Sequence, residues 1–373
     1  MIYINISKIA ECLDYQRQYI YKIQIIPITM IIKQVPEDFI VQEIPLKEWD
    51  DDGPYAVFKL SKTNLNTEQA IDIVARRFHL PQNTIKYSGT KDKHAKTSQY
   101  ISIPNKTGII NIKLDEKNLK LEHVGYSDGP LSLGTLKGNR FIITVRELDK
   151  KEHENLLIRT SKKSSIKIPN YFDEQRFSSN NYNIGLSILK KDYKKAVGYM
   201  CESSSVYADT STVYLAAHPN DYIGTLQHVS KKTLLIFIHA VQSFIFNEAL
   251  SNILIENALK KGIEFYIIPY SIGRLVFYEN YEDYEDLTES LELIGFDTKS
   301  LNHHTKQLLE ESGLIQRDFI VRALPDLSVE GTIRECFVEV QNLETEIMDD
   351  RTILEFELQK GAYATIAVKA LFN

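Results

Sequence analysis

Period-two alternation of apolar and polar residues marks both ends of this 373-residue chain, and between about residues 170 and 337 it gives way to helical spacing. Such a chain must bury sheet faces as well as helices, and its length allows two domains, each with a core of its own. Residues 31 to 44 (IIKQVPEDFIVQEI) read as a strand that turns at Pro36 and Glu37 and leaves as a second strand, with Phe39 and Val41 on one face. Tyr55 to Ser61 alternates as a further strand. Asn66 and Gln69 stand at capping-box spacing, which predicts a helix with Ala70, Ile73, Val74 and Phe78 on its buried side. Short strands follow up to Arg140–Arg146, where Phe141, Ile143 and Val145 point inward, and a helix spans about Asp149 to Ser161. In the middle, Lys231 to Gly262 is a long apolar pattern of one or two packed helices, with Gly262 as C-cap. Two strands, Glu264 to Pro269 and Arg274 to Glu279, precede a strongly acidic stretch, Glu279 to Glu292, that reads as a solvated helix. Strand returns at Glu335–Gln341 and Thr352–Gln359, before a short closing helix.

Charge alone argues against nucleic acid, since the net charge is -6. Its distribution is uneven, however: Arg159 to Lys167 and Lys190 to Lys195 are basic, so an acidic total can hide a basic face. Cys12, Cys201 and Cys336 are far apart and form no C-x-x-C, which reads as reduced thiols rather than a disulfide framework or zinc site. The one histidine pair, His303 and His304, is adjacent, and on a helix adjacent side chains diverge, so no metal constellation stands out. The apolar run Ile23 to Ile32 is interrupted by Pro27 and is too short to cross a membrane. A cytoplasmic protein is expected, with Met30 as a possible alternative start.

The chemistry-bearing stretch is Lys86 to Ile103, KYSGTKDKHAKTSQYISI. One carboxylate, Asp92, sits among Lys86, Lys91, Lys93, His94 and Lys96, a setting suited to a nucleophile or base beside a polyanion. Polar loops between strands are commonly just solvated connections. A phosphate-cradling loop is excluded: Ala95 replaces the second glycine of G-x-x-x-x-G-K-[ST], the spacer is one residue too long, and strand rather than helix follows.

This stretch closely resembles the signature loop of the TruD family of tRNA pseudouridine synthases, G-x-K-D-x-x-A-x-T-x-Q, on Gly89, Lys91, Asp92, Ala95, Thr97 and Gln99. The resemblance puts the family's catalytic aspartate on Asp92, with Lys91 in support. Pro36, Glu37, Asp38 and Phe39 match a family segment that implies Phe39 against the substrate and Lys33 near the aspartate. Gly138, Asn139 and Phe141 match G-N-x-F, which implies Asn139 and Phe141 in the uridine pocket; from the residues alone, Gly-Asn is a turn signal. Pro169 to Phe177 resembles P-N-Y-F-G-x-Q-R-F-G, but Asp173 and Ser178 stand where glycines are usual. Ala240 to Asn247 is similar to A-x-x-S-x-x-F-N. Leu358 to Thr365 resembles L-P-x-G-[SA]-[FY]-A-T, with Gln359 replacing proline and Tyr363 as a pocket residue; without the family, Tyr363 is an aromatic packing at a helix start.

Six matching segments in the family's order imply an α+β chain. Residues 1–169 and 338–373 are expected to form a catalytic domain on a mixed, mainly antiparallel sheet, the pseudouridine synthase fold, and residues 170–337 an inserted α+β domain that helps grip RNA. The implied partner is tRNA, with uridine 13 as the target, no cofactor or metal, no membrane, no protein partner and a monomeric state. Lys86, Lys93 and Lys96 are candidate phosphate contacts. Two other classes compete: a non-catalytic RNA-binding protein using the pocket as a clamp, and a hydrolase using Asp92 with His94. Asp92 itself argues against the first, and the second lacks a serine or cysteine nucleophile motif or a metal set.

Overall fold

A computed structural model describes residues 24–25, 31–105, 112–148, 150–160, 165–178, 180–203, 206–285, 287–348 and 351–372. Cys12, Met30 and most of the apolar run from Ile23 to Ile32 lie outside these residues. The chain divides into two compact units, Ile28–Ile166 with Val338–Asn373, and Met1–Pro27 with Lys167–Phe337. The expectation that residues 1–169 belong together differs here at the N-terminus, because Gln24–Ile25 pairs in parallel with Tyr266 and Ile267.

The first unit holds most of one sheet, whose strands are β1 (Phe39–Pro45), β2 (Tyr55–Thr63), β3 (Lys96–Pro104), β4 (Leu114–Glu116), β5 (Leu119–Ser127), β6 (Leu136–Arg146), β7 (Ser165–Pro169), β8 (Phe337–Ile347) and β9 (Arg351–Gln359). Their order across the sheet is β7-β8-β9-β6-β1-β3-β2-β5-β4, and the short strands Ile31–Ile32 and Lys86–Tyr87 pair with β6 and β3. β1 and β3 run parallel, whereas β1–β6, β6–β9, β8–β9, β2–β3 and β2–β5 are antiparallel. The sheet is therefore mixed and mainly antiparallel, in an α+β fold.

Alternation selects one covered face. Phe39, Val41 and Glu43 of β1, Phe141, Ile143 and Val145 of β6, and Leu354, Phe356 and Leu358 of β9 are buried on it. Helix α1 (Thr67–Arg77) packs there through Ala70, Ile71, Val74 and Ala75 against Phe58, Leu60, Ile101 and Ile103. Asn66 and Gln69 form the expected capping box: the Asn66 side chain accepts from the Gln69 N–H at 2.7 Å, and Gln69 Oε1 accepts from the Asn66 N–H at 3.1 Å. Ile71 rather than Ile73 lies deepest, since Ile73 and Phe78 are only partly covered. Each fully buried Ile or Phe contributes about 1.5–3 kcal/mol, so burial, not propensity, holds the helix over the sheet.

The second unit is organised by the helix Lys231–Lys261, a single 31-residue element capped by Ser230 and ended by Gly262 at φ 73°. By length and composition it could cross a membrane, but Phe237, Ile238, Val241, Phe246, Leu250 and Leu254 are buried within the unit. Its fully buried Asn247 explains the A-x-x-S-x-x-F-N segment: Oδ1 accepts from the Phe172 N–H at 2.9 Å and Nδ2 donates to Phe172 O at 2.8 Å. Asp173 adopts φ -93°, a conformation open to any residue, so the missing glycine costs nothing there. The acidic stretch is not a helix. Tyr281–Tyr284 is one 3-10 turn and Ser290–Leu293 a strand paired with Thr332–Glu335, because Tyr284 and Leu291 are drawn into the core, while Glu282, Glu285 and Glu289 stay exposed and Glu292 is buried.

Candidate active site

Segment P-E-D-F works as a corner. Pro36 opens a single 3-10 turn, and the Asp38 carboxylate accepts from the Val35 N–H at 3.1 Å and from Arg146 at 2.8 Å. Burial opposes the Asp38 charge, but the Arg146 and Val35 hydrogen bonds outweigh it and hold the carboxyl below its ordinary range. Just before the corner, Lys33 takes φ 65°, the left-handed region that lysine rarely adopts. From there its Nζ reaches Asp92 Oδ2 at 2.7 Å and lies 3.8 Å from the centre of the Phe39 ring. Among the described residues, Asp92 Oδ1 has no hydrogen-bond partner, and the Asp92 side chain is 30% exposed.

Loop residues 88–95 are held from beneath by polar side chains on the covered face. Lys62 Nζ donates to Lys91 O at 3.3 Å and Asp92 O at 2.8 Å. Thr67 Oγ1 accepts from the Lys91 N–H at 2.9 Å and donates to Gln99 Oε1, while Gln99 Nε2 donates to Gly89 O. Lys91 turns inward: its Nζ is 2.9 Å from Glu43 Oε1, and Glu43 Oε2 accepts from the Tyr100 N–H at 2.7 Å. Lys91 supports the loop structurally; its ammonium is not presented to solvent.

The G-N segment is not a turn. Gly138 and Asn139 lie inside β6, where Gly138 pairs with Gln359 and Asn139 with Leu358. A Cβ on Gly138 would stand 2.3 Å from Leu358 O, so the glycine is required by close strand approach. Asn139 sits opposite Glu43 across the β1–β6 pair, and its buried Oδ1 has no hydrogen-bond partner among the described residues. Phe141 touches Phe39 edge-on at 6.1 Å between ring centres and stacks on Phe356 at 5.6 Å. Both phenylalanines are buried, Phe39 at 3% and Phe141 at 7% exposure. Tyr363 is half-buried and begins the helix Ala364–Phe372, its carbonyl accepting from Ile366 and Ala367 N–H. Gly361 before it has φ 84°, which glycine alone adopts at no cost.

The structure thus brings Asp92, Lys33, Phe39 and Phe141 into one chain of contacts, with Asn139 beside the Lys91–Glu43 pair. Lys93 and Lys96 are exposed, Lys93 within the Asp92 loop and Lys96 at the start of β3. Lys86 lines a separate open groove with Glu68, Ile71, Gln82 and Tyr87, which contains none of the pocket residues. Sequence reasoning missed Lys62, Glu43 and Thr67 as parts of this site, and placed Gln99 in the motif without a role. A signal existed, because Lys62 and Glu43 fall on the inward phase of their strands, where polar residues are rare. In the other unit the ligand atoms of Glu256, His303 and His304 lie within 4.8 Å of one another. The two histidine rings do not diverge as expected but lie 3.8 Å apart in the first turn of the helix His303–Glu311. Glu256 is already bound by Lys260 and His304.

The family description tRNA pseudouridine synthase D (TruD) matches residues 17–213 and 210–371. The chain belongs to the TruD family. Its members are tRNA pseudouridine synthases, which are isomerases. Among TruD relatives, "Probable tRNA pseudouridine synthase D 1" of Methanococcus maripaludis is 32% identical, with 92% of this chain and all of that protein covered. The tRNA pseudouridine synthase D of Aquifex aeolicus is 26% identical over 91% of this chain and 97% of that one. The TruD fold is shared with a Methanosarcina mazei protein of known crystal structure, at a TM-score of 0.66 and 24% identity, covering 95% of this chain and 96% of that one.

Proposed function

We propose that this protein converts a uridine of tRNA, uridine 13, to pseudouridine, with Asp92 as nucleophile or base. In that reaction the N1–C1′ bond breaks, the uracil rotates, C5 bonds to C1′, the C5 proton leaves and N1 ends protonated. Atoms balance without a redox partner or an entering group, so the chemistry calls for no cofactor. A carboxylate can stabilise a cation-like C1′, attack it, or accept the proton. The observation that carries the reading is the partly exposed Asp92, held by Lys33 through one oxygen with the other unpartnered.

The buried, unpaired Oδ1 of Asn139 supports it, because the Watson–Crick edge of a flipped uracil offers an N3–H donor to such an acceptor. Phe39, Phe141 and Tyr363 are the aromatic walls of this reading. Lys33 covers the face of Phe39 at 3.8 Å, so the ammonium shifts when the base enters. Lys93 and Lys96, with Lys86 further off, hold phosphates. In this reading the unit of Ile28–Ile166 with Val338–Asn373 carries the reaction and the other unit grips RNA, in a cytoplasmic monomer. Asp92→Asn tests the core of the proposal: it retains tRNA affinity and forms no pseudouridine at position 13 by mass spectrometry. Wild-type pseudouridine yield from that variant would falsify the assignment.

A further inference from the structure

Lys62 is 1% exposed, yet all three acceptors of its ammonium are main-chain carbonyls: Leu65 at 2.7 Å, Asp92 at 2.8 Å and Lys91 at 3.3 Å. It occupies the fourth inward position of β2 after Ala56, Phe58 and Leu60, where an apolar side chain would serve the core. A buried ammonium with no carboxylate bonded to it costs several kcal/mol in desolvation. Burial accordingly pushes the Lys62 ammonium down to about 8, against the pull of the nearby Asp92 carboxylate and with the help of Lys91. A residue so costly to the fold, with two of its three hydrogen bonds made to the loop that carries Asp92, has a task there.

We propose that Lys62 is a positioning residue, whose ammonium anchors the main chain of Lys91 and Asp92 so that the Asp92 carboxylate is aimed at the sugar–base bond. The inference rests on the proposed reaction at Asp92. Asp92 is gripped twice: its carbonyl from within by Lys62, and its carboxylate from the open side by Lys33. Losing the inner grip lets the loop shift, and a displacement of about 1 Å at a reacting group costs on the order of 100-fold in rate.

Three variants of the full chain test this, by single-turnover pseudouridine formation in a tRNA transcript and by amide hydrogen exchange of residues 89–95. Lys62→Met, which keeps length but removes the donors, lowers the rate about 100-fold, leaves tRNA affinity within about threefold and speeds exchange in the loop but not in α1. Lys62→Arg, which keeps charge and donors, retains at least about a tenth of the wild-type rate. If Lys62→Met does not fold, Lys62→Gln against Lys62→Arg decides. A purely structural lysine would leave the folded variants equal in rate, and a wild-type rate in Lys62→Met or Lys62→Gln overturns the proposal. Should the wild type form no pseudouridine, the reaction assignment fails. Loop exchange then still reads the anchoring: unchanged protection in Lys62→Met removes it, and selective loss of protection upholds it.

Discussion

Glu43→Gln isolates the inward-facing pair beneath the Asp92 loop. Glu43 and Lys91 side chains are 1% and 8% exposed, and the two Glu43 oxygens are divided between the Lys91 ammonium and the Tyr100 N–H. Glutamine keeps one acceptor. It either loses the Tyr100 bond or turns an NH2 toward the ammonium, and in both cases a buried charge is left without its counter-ion. Breaking such a pair from one side costs about 3–5 kcal/mol, whereas removing both charges is close to neutral. The chain's single tryptophan, Trp49, packs against Tyr100 with ring centres 4.9 Å apart, so its fluorescence in urea reports the unfolding of this unit. Glu43→Gln is expected to lose about 3 kcal/mol in that transition, and Glu43→Gln with Lys91→Met to return within about 1 kcal/mol of wild type. A single variant within about 0.5 kcal/mol of wild type would show that Lys91 is held by something other than this pair.

Phe39→Ala is expected to cost about 3–5 kcal/mol as well as turnover, since the ring is buried. Phe39→Leu separates the roles, staying within about 1.5 kcal/mol in stability while turnover falls; full turnover would remove the aromatic wall from the pocket. Burial raises the Glu248 carboxyl from 4.5 to about 7, with the Arg274 N–H and guanidinium partly opposing. Its folded-state value is raised, so its stabilising contribution is complete below about 4.5 and is lost as the pH climbs through 7, a difference of about 3 kcal/mol. Glu248→Gln, whose amide oxygen still accepts from the Arg274 N–H, should lack that decline and be the more stable protein at pH 8; parallel wild-type and variant curves from pH 4.5 to 8 would refute it.

Legibility of the site varied with the range of the interaction. The capping box of α1 and the αL cap at Gly262 depend on residues within a few positions of one another, and both stand as their spacing predicts. Gly138–Asn139 misled, because a local turn signal was overridden by strands 220 residues apart in sequence pressing together at Leu358. The acidic stretch misled for the same reason: charge pattern describes its outer side, while Tyr284 and Leu291 answer to the core.

By itself the sequence determined which residues alternate, where α1 begins and the helix Lys231–Lys261 ends, and which loop holds the lone carboxylate among lysines. The motifs it shares with TruD proteins also singled out Asp92, Asn139 and Tyr363. Only the tertiary structure decided what those residues touch. The parallel register of β1 on β3, Ile40 opposite Lys96, brings Glu43 beneath the loop to meet Lys91. The packing of α1 and the fold-back of the loop over β2 set Lys62 under the Asp92 carbonyl. Period-two patterning marks a face as inward, but a polar residue on that face is defined by the partner opposite it, and that partner is chosen by contacts far apart in the chain.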